Sequence, residues 1–91
     1  MNRETFCICV HAYFPDIKLE RCAYSLYGWL GTPSDGDTFP VYLAYNDETG
    51  KYRVDIFHIE DGIYEDNDED TLLKALKLIK KERDRRGLHD K

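Results

Sequence analysis

Cysteine and histidine are scarce in this 91-residue chain, and Cys7, Cys9 and His11 recur at two-residue spacing. Thiolates and imidazoles are zinc ligands. On an extended strand the three share one face, with Cys22 and His58 as further candidates. Structural zinc sites more often use paired Cys-x-x-Cys knuckles, which the chain lacks, and cysteine is also a common small core hydrophobe. No metal and no cofactor is the expectation. A nucleophile needs a neighbouring base. Cys7, Cys9, Ser25 and Ser34, taken with His11 or His58, stand in no elbow or helix-start signature. A His11–His58 pair beside Lys51 or Arg53 has the parts of a ribonuclease site. Such an enzyme must hold a polyanion, however, and this chain carries a net charge of −5. The chain is expected not to be an enzyme.

Oxygen ligands alternate in Asp66-Asn67-Asp68-Glu69-Asp70, as at the opening of an EF-hand loop. The sixth position is Thr71, where the sharp turn needs glycine, and the twelfth is Lys77, where a bidentate glutamate is required. Calcium is rejected on those two positions. Gly28, Gly31 and Gly36 match neither the G-x-x-x-x-G-K-[ST] nor the G-x-G-x-x-G phosphate loop and read as turn residues.

Two features remain. An acidic block holds Glu60, Asp61, Glu65, Asp66, Asp68, Glu69 and Asp70, and a basic run follows it through Lys74, Lys77, Lys80, Lys81, Arg83, Arg85 and Arg86. One or two of the carboxylates suffice to offset a helix dipole. The rest repel each other unless a cation or a basic partner neutralises them. Glu82 and Asp84 interrupt the basic run, which argues for a solvated face over a nucleic-acid contact. Seven tyrosines are the second feature, more than a core this small can hide without hydroxyl partners. Tyr42, Tyr64, Tyr24, Tyr27 and Trp29 are candidates for an exposed contact surface, because Tyr and Trp dominate interface hot spots.

The elements that must position these residues follow from periodicity. Thr5 to Phe14 alternates and reads as an interior strand, with Phe6, Ile8, Val10, Ala12 and Phe14 on one face. Leu19, Cys22, Ala23, Leu26 and Leu30 suit a helix over Asp16–Leu30, capped by Asp16 and stopped by Gly31, although Tyr24, Tyr27 and Trp29 also suit a strand. Gly31–Asp37 is a loop by composition. Phe39 to Tyr45 and Tyr52 to Ile56 form a hairpin across Asn-Asp-Glu-Thr-Gly, with Gly50 at positive φ and the second strand running to Ile59. Asp61-Gly62 turns the chain, and Ile63-Tyr64 pairs briefly beyond it. A helix over Asp70–Arg86 buries Leu72, Leu73, Leu76 and Ile79, capped by Asp68 or Asp70 and closed by Gly87. The expected fold is a single α+β domain over residues 1–91, β-α-β-β-(β)-α, with a mainly antiparallel sheet of three to four strands and two helices.

No apolar run approaches the roughly 20 residues that span a bilayer. Three cysteines, an odd number, argue against a disulfide framework, so a cytoplasmic location with reduced thiols is expected. In size, charge and composition alone, the chain resembles the small acidic inhibitors that phages encode against CRISPR or restriction enzymes, and toxin-neutralising immunity proteins. That likeness implies a protein-binding inhibitor whose carboxylates stand in for phosphates on a basic, nucleic-acid-binding partner, without direct contact to nucleic acid or membrane. The competing expectation is an oligomeric nucleotide-binding module, a homodimer for instance, with Trp29, Tyr27 and the Gly31–Asp37 loop around the ligand.

Overall fold

The first helix is fixed by a cap. In the computed structural model, which describes residues 1–32, 34 and 36–88, the Asn2 side chain accepts a hydrogen bond from the Thr5 amide at 2.8 Å and opens α1, Arg3–Tyr13. Capping of this kind satisfies one of the free N–H groups of a first turn. Helical spacing then puts Phe6, Cys9 and Val10 on the buried face. The strand expected over Thr5–Phe14 is therefore a helix. Strand alternation would bury Ile8 and Ala12, yet both are exposed, Ile8 to 62%.

The helix expected over Asp16–Leu30 is also overturned. Those residues make a connection and then a hairpin, β1 (Glu20–Cys22) and β2 (Ser25–Leu30). Ala23, at φ 51°, turns the chain. Leu26, Gly28 and Leu30 face inward while Ser25, Tyr27 and Trp29 face outward, the period of a half-buried strand. A helix would have placed Gly28 mid-element at a cost of about 1 kcal/mol.

The central hairpin forms as expected in type. Here β3 is Val41–Asn46 and β4 is Lys51–Ile56, with Gly50 at φ 69° in the connection. Strand β4 stops short of the expected Ile59, because His58 and Asp61 take positive φ and reverse the chain. Beyond that turn β5 spans Ile63–Asp66. The five strands lie in the order β1-β2-β3-β4-β5, all antiparallel. The α+β class holds, with five strands in place of three to four and the order α-β-β-β-β-β-α.

Helix α2, Glu69–Arg85, is capped by Asp68, which accepts from the Thr71 amide and hydroxyl. Both helices pack on one sheet face and on each other. The core between the layers joins Phe6, Val10 and Phe14 to Leu43, Val54, Leu72, Leu76 and Ile79. Phe6 stacks on Tyr45 and Tyr52 at 5.5 and 6.5 Å. Both buried tyrosines have hydroxyl partners, Tyr45 donating to the Met1 carbonyl and Tyr52 to that of Asp68. None of the described helices is long and apolar enough to cross a membrane.

Candidate functional site

Because both helices cover one face, the other face of the sheet is left without a covering layer among the described residues. Register decides what it displays. One row runs Glu20, Tyr27, Ala44, Arg53, Glu65; the next runs Trp29, Tyr42, Asp55, Ile63. Side chains in adjacent rows touch. Trp29 lies 5.0 Å from Tyr42 and 5.4 Å from Phe57, and Tyr27 lies 6.3 Å from Tyr42, ring centre to ring centre. Four aromatic rings thus form one continuous band, tilted against each other in the arrangement aromatic quadrupoles favour. Ile63, 54% exposed, extends the apolar surface toward the β5 edge.

Charges rim this band unevenly. Arg53 donates to Glu65 at 2.7 Å and lies 3.9 Å from Asp55, so its charge is already answered. Glu20 accepts a hydrogen bond from the Tyr27 hydroxyl at 3.1 Å and has no cationic partner among the described residues. By accepting that bond, Glu20 pushes the Tyr27 phenol up from its ordinary value. Where Ala44 leaves the face low, a shallow hollow of about 330 Å³ opens between Ser25, Tyr42, Lys51 and Arg53.

A second concavity borders the band. Strand β1 pairs only with Ser25–Tyr27, so the remainder of β2 lacks a strand neighbour on that edge. The connection before β1 crosses there and approaches closely, since a Cβ on Gly28 would stand 2.8 Å from the Lys18 carbonyl oxygen and 2.9 Å from a Leu19 methyl. The result is a groove of about 480 Å³ between Asp16, Lys18 and Glu20 on one side and Tyr27 and Trp29 on the other. At its inner end lies an ion pair that the charge pattern concealed. Arg83, 2% exposed, pairs with both oxygens of Asp37 at 3.1 Å and donates to the carbonyls of Leu30 and Phe39. Burial works against the Asp37 carboxylate, but Arg83 and the Phe39 amide outweigh it and hold its pKa below the ordinary value.

Of the residues expected to meet a partner, the structure brings Tyr27, Trp29 and Tyr42 together on the open face. Tyr24, 61% exposed, sits apart at the β1–β2 turn. Tyr64 pairs with Val54 on the helix side and packs against the core. The acidic block does not form one surface. Glu60 and Asp61 lie in the β4–β5 connection, and Glu65 answers Arg53. Asp66 accepts from the Asn67 amide, Asp68 caps α2, and Glu69 accepts from the Cys9 thiol at 3.7 Å. Asp70 is exposed in the first turn of α2. The basic run is dispersed as well, with Arg83 buried, Lys80 paired to Asp84, and Arg85 and Arg86 both paired to Glu82.

The shared face proposed for Cys7, Cys9 and His11 does not exist on a helix, where Cys9 turns inward away from the other two. His11 Nε2 donates to the Ile17 carbonyl oxygen at 3.1 Å, and His58 lies in the β4–β5 turn. Among the described residues no cluster of three His, Cys, Asp or Glu side chains is placed to hold a metal ion. Phe57 and the Arg83–Asp37 pair were missed from sequence. Alternation from Val41 to Asn46 and Lys51 to Ile56, carried one residue further, puts Phe57 on the same face as Tyr42 and Asp55, where it meets Trp29. Nothing in the local pattern marks Arg83. Comparison with protein-family models, curated proteins and solved structures finds no match.

Proposed function

We propose that this chain is a non-enzymatic protein-binding inhibitor that docks its open sheet face on a basic, nucleic-acid-binding surface of a partner. The observation that carries the reading is the continuous band Tyr27–Tyr42–Trp29–Phe57 on a face that no described element covers. Rigid aromatic side chains give large contact area at low entropic cost, and their hydroxyls and indole N–H can pair with polar groups of a partner. Glu20, Asp55 and Glu65 flank the band and give its rim an acidic bias, suited to a basic partner and to excluding a polyanion. The acidic block contributes from the periphery through Glu60, Asp61 and Asp70, steering association more than forming the contact.

The test compares immobilised wild-type chain with a Trp29→Ala/Tyr42→Ala variant for retention of host proteins, then titrates the chain into the retained protein's nucleic-acid-binding assay. Wild type should retain a basic protein and displace its nucleic acid, and the double variant should bind at least about 30-fold more weakly, as loss of two hot-spot aromatics implies. Retention that ignores the double substitution, or a partner that keeps its nucleic acid, would overturn the proposal.

A second reading is favoured by one observation. Lys51 borders the hollow at Ala44 beside the Tyr42 ring, a stacking surface next to a cation that suits a nucleotide. Saturable binding of a nucleoside triphosphate, lost in Lys51→Ala, would favour it over the inhibitor.

A further inference from the structure

The groove beside Trp29 has a composition of its own. Among the described residues its walls carry an indole, a phenol and three carboxylates against two cations, and one of those cations, Arg83, is already bound to Asp37. Asp16 and Glu20 are left facing a single lysine, Lys18, with which neither forms an ion pair. Glu20 is held in place without being neutralised. The Tyr27 hydroxyl occupies Oε2, which leaves Oε1 with no partner among the described residues. Tyr42 and Phe57 brace the Trp29 ring from the band side, while Trp29 itself lines the groove and remains 37% exposed.

The geometry points to this groove as a binding site for an arginine side chain of the partner protein. A guanidinium is planar and always charged. It stacks on an indole face while its fork of donors meets a carboxylate, so it can use Trp29 and Glu20 together. An ammonium offers a point charge without the stacking plane, and a neutral side chain of the same shape offers neither charge nor carboxylate pairing. Past Tyr27, β2 has no strand neighbour on the groove side, so a loop of a basic surface can present the arginine while its neighbours lie on the aromatic band. This inference rests on the protein-binding reading and specifies the residue type that anchors it.

The chain supplies its own reporter, because Trp29 is its only tryptophan. Three acetylated five-residue peptides with glycine at positions one, three and five serve as probes, carrying arginine, lysine or citrulline at positions two and four. Trp29 fluorescence should change saturably with the arginine peptide, more weakly with the lysine peptide, and at about tenfold higher concentration with the uncharged citrulline peptide. Glu20→Gln should bring the arginine peptide down to the citrulline level, while Glu48→Gln, in the β3–β4 connection, should leave it unchanged. Citrulline binding as well as arginine, or Glu20→Gln having no effect, would overturn the arginine site. If Glu20→Gln is silent while Trp29→Ala/Tyr42→Ala still releases the partner, the groove fails and the open-face reading stands. If the peptides behave as expected and no basic partner is retained, the site stands and the inhibitor reading fails.

Discussion

Removing one half of the Arg83–Asp37 pair should be among the most destabilising single changes available to this chain. Arg83 is 2% exposed and Asp37 10%, so both charges are largely withdrawn from water. Asp37→Ala removes both carboxylate contacts of the Arg83 guanidinium. Breaking a buried pair from one side costs about 3–5 kcal/mol. A domain of this size has a total stability of about 5–14 kcal/mol, so the loss is about a fifth or more of what holds it folded. In thermal terms the midpoint should fall by roughly 15–30 °C. Replacing both partners with apolar residues, Arg83→Met with Asp37→Leu, should cost less than either single change, because breaking a buried pair from one side costs more than removing it whole. Urea unfolding followed by far-UV circular dichroism measures wild type, Asp37→Ala, each single replacement and the double one. The linkage has a definite sign. Because the folded-state pKa of Asp37 lies below its unfolded value, its contribution is complete above the unfolded pKa and disappears as pH falls through the folded one. Wild type should therefore lose stability below about pH 4 more steeply than Asp37→Ala, with Asp68 and Glu82, whose pKa values are also lowered by hydrogen bonds, supplying the slope that remains. An Asp37→Ala protein within about 1 kcal/mol of wild type would refute the claim that this pair is a buried strut.

Gly31 lies at φ 67° with the Asp37 carboxylate packed where a Cβ would stand, so Gly31→Ala should lower the urea midpoint and Gly36→Ala, which has open space around it, should lower it less. Burial, with Asp66 and Asp68 adding to it, pushes the Tyr52 phenol up to about 12; ultraviolet titration should show it ionising last, and stability should decline as pH rises from about 10 through that value. Thiol labelling under native conditions should modify exposed Cys22 first and half-buried Cys7 more slowly. Cys9, buried and hydrogen-bonded to Glu69, should react only on unfolding. Partner affinity should fall as salt rises, since Glu20 and Glu65 on the rim are exposed; affinity that is indifferent to salt would leave the aromatic band as the whole contact.

The half of the chain from Phe39 onward was legible because its signals agree. Alternation, Gly50 at the turn and Asp68 ahead of a 3.6-residue stripe each specify one structure. The first thirty residues carry conflicting signals. From Thr5 to Phe14 nearly every position is apolar or aromatic, so a period of two and a period of 3.6 both find a full set of core residues. What decides is Asn2, a cap three residues outside the window that alternation draws attention to. In the next segment the strand pattern of Leu26, Tyr27, Gly28, Trp29 and Leu30 was present. The turn that makes it a hairpin was not signalled, because Ala23 adopts a positive φ with neither glycine nor asparagine to announce it.

That conflict bears directly on the site. Read as a helix, the segment scatters Tyr24, Tyr27 and Trp29 around a cylinder. Read as β2, it places Tyr27 and Trp29 on one face, and register with β3 brings Tyr42 between them. The acidic block shows the reverse case, in which a cluster conspicuous in sequence is divided by a strand and a helix cap among separate structural tasks. Charge proximity along the chain becomes a surface only when the backbone keeps those residues on one side, and a four-residue strand followed by a cap does not. Aromatic residues spread over Tyr27, Trp29, Tyr42 and Phe57 become a surface because antiparallel pairing sets them in adjacent rows. Strand β1 pairs with β2 only as far as Tyr27, and the groove at Trp29 lies beyond that pairing. Both the open face and the groove depend on the register of β2, and a substitution that shifted β2 by a single residue would bury the band and abolish both.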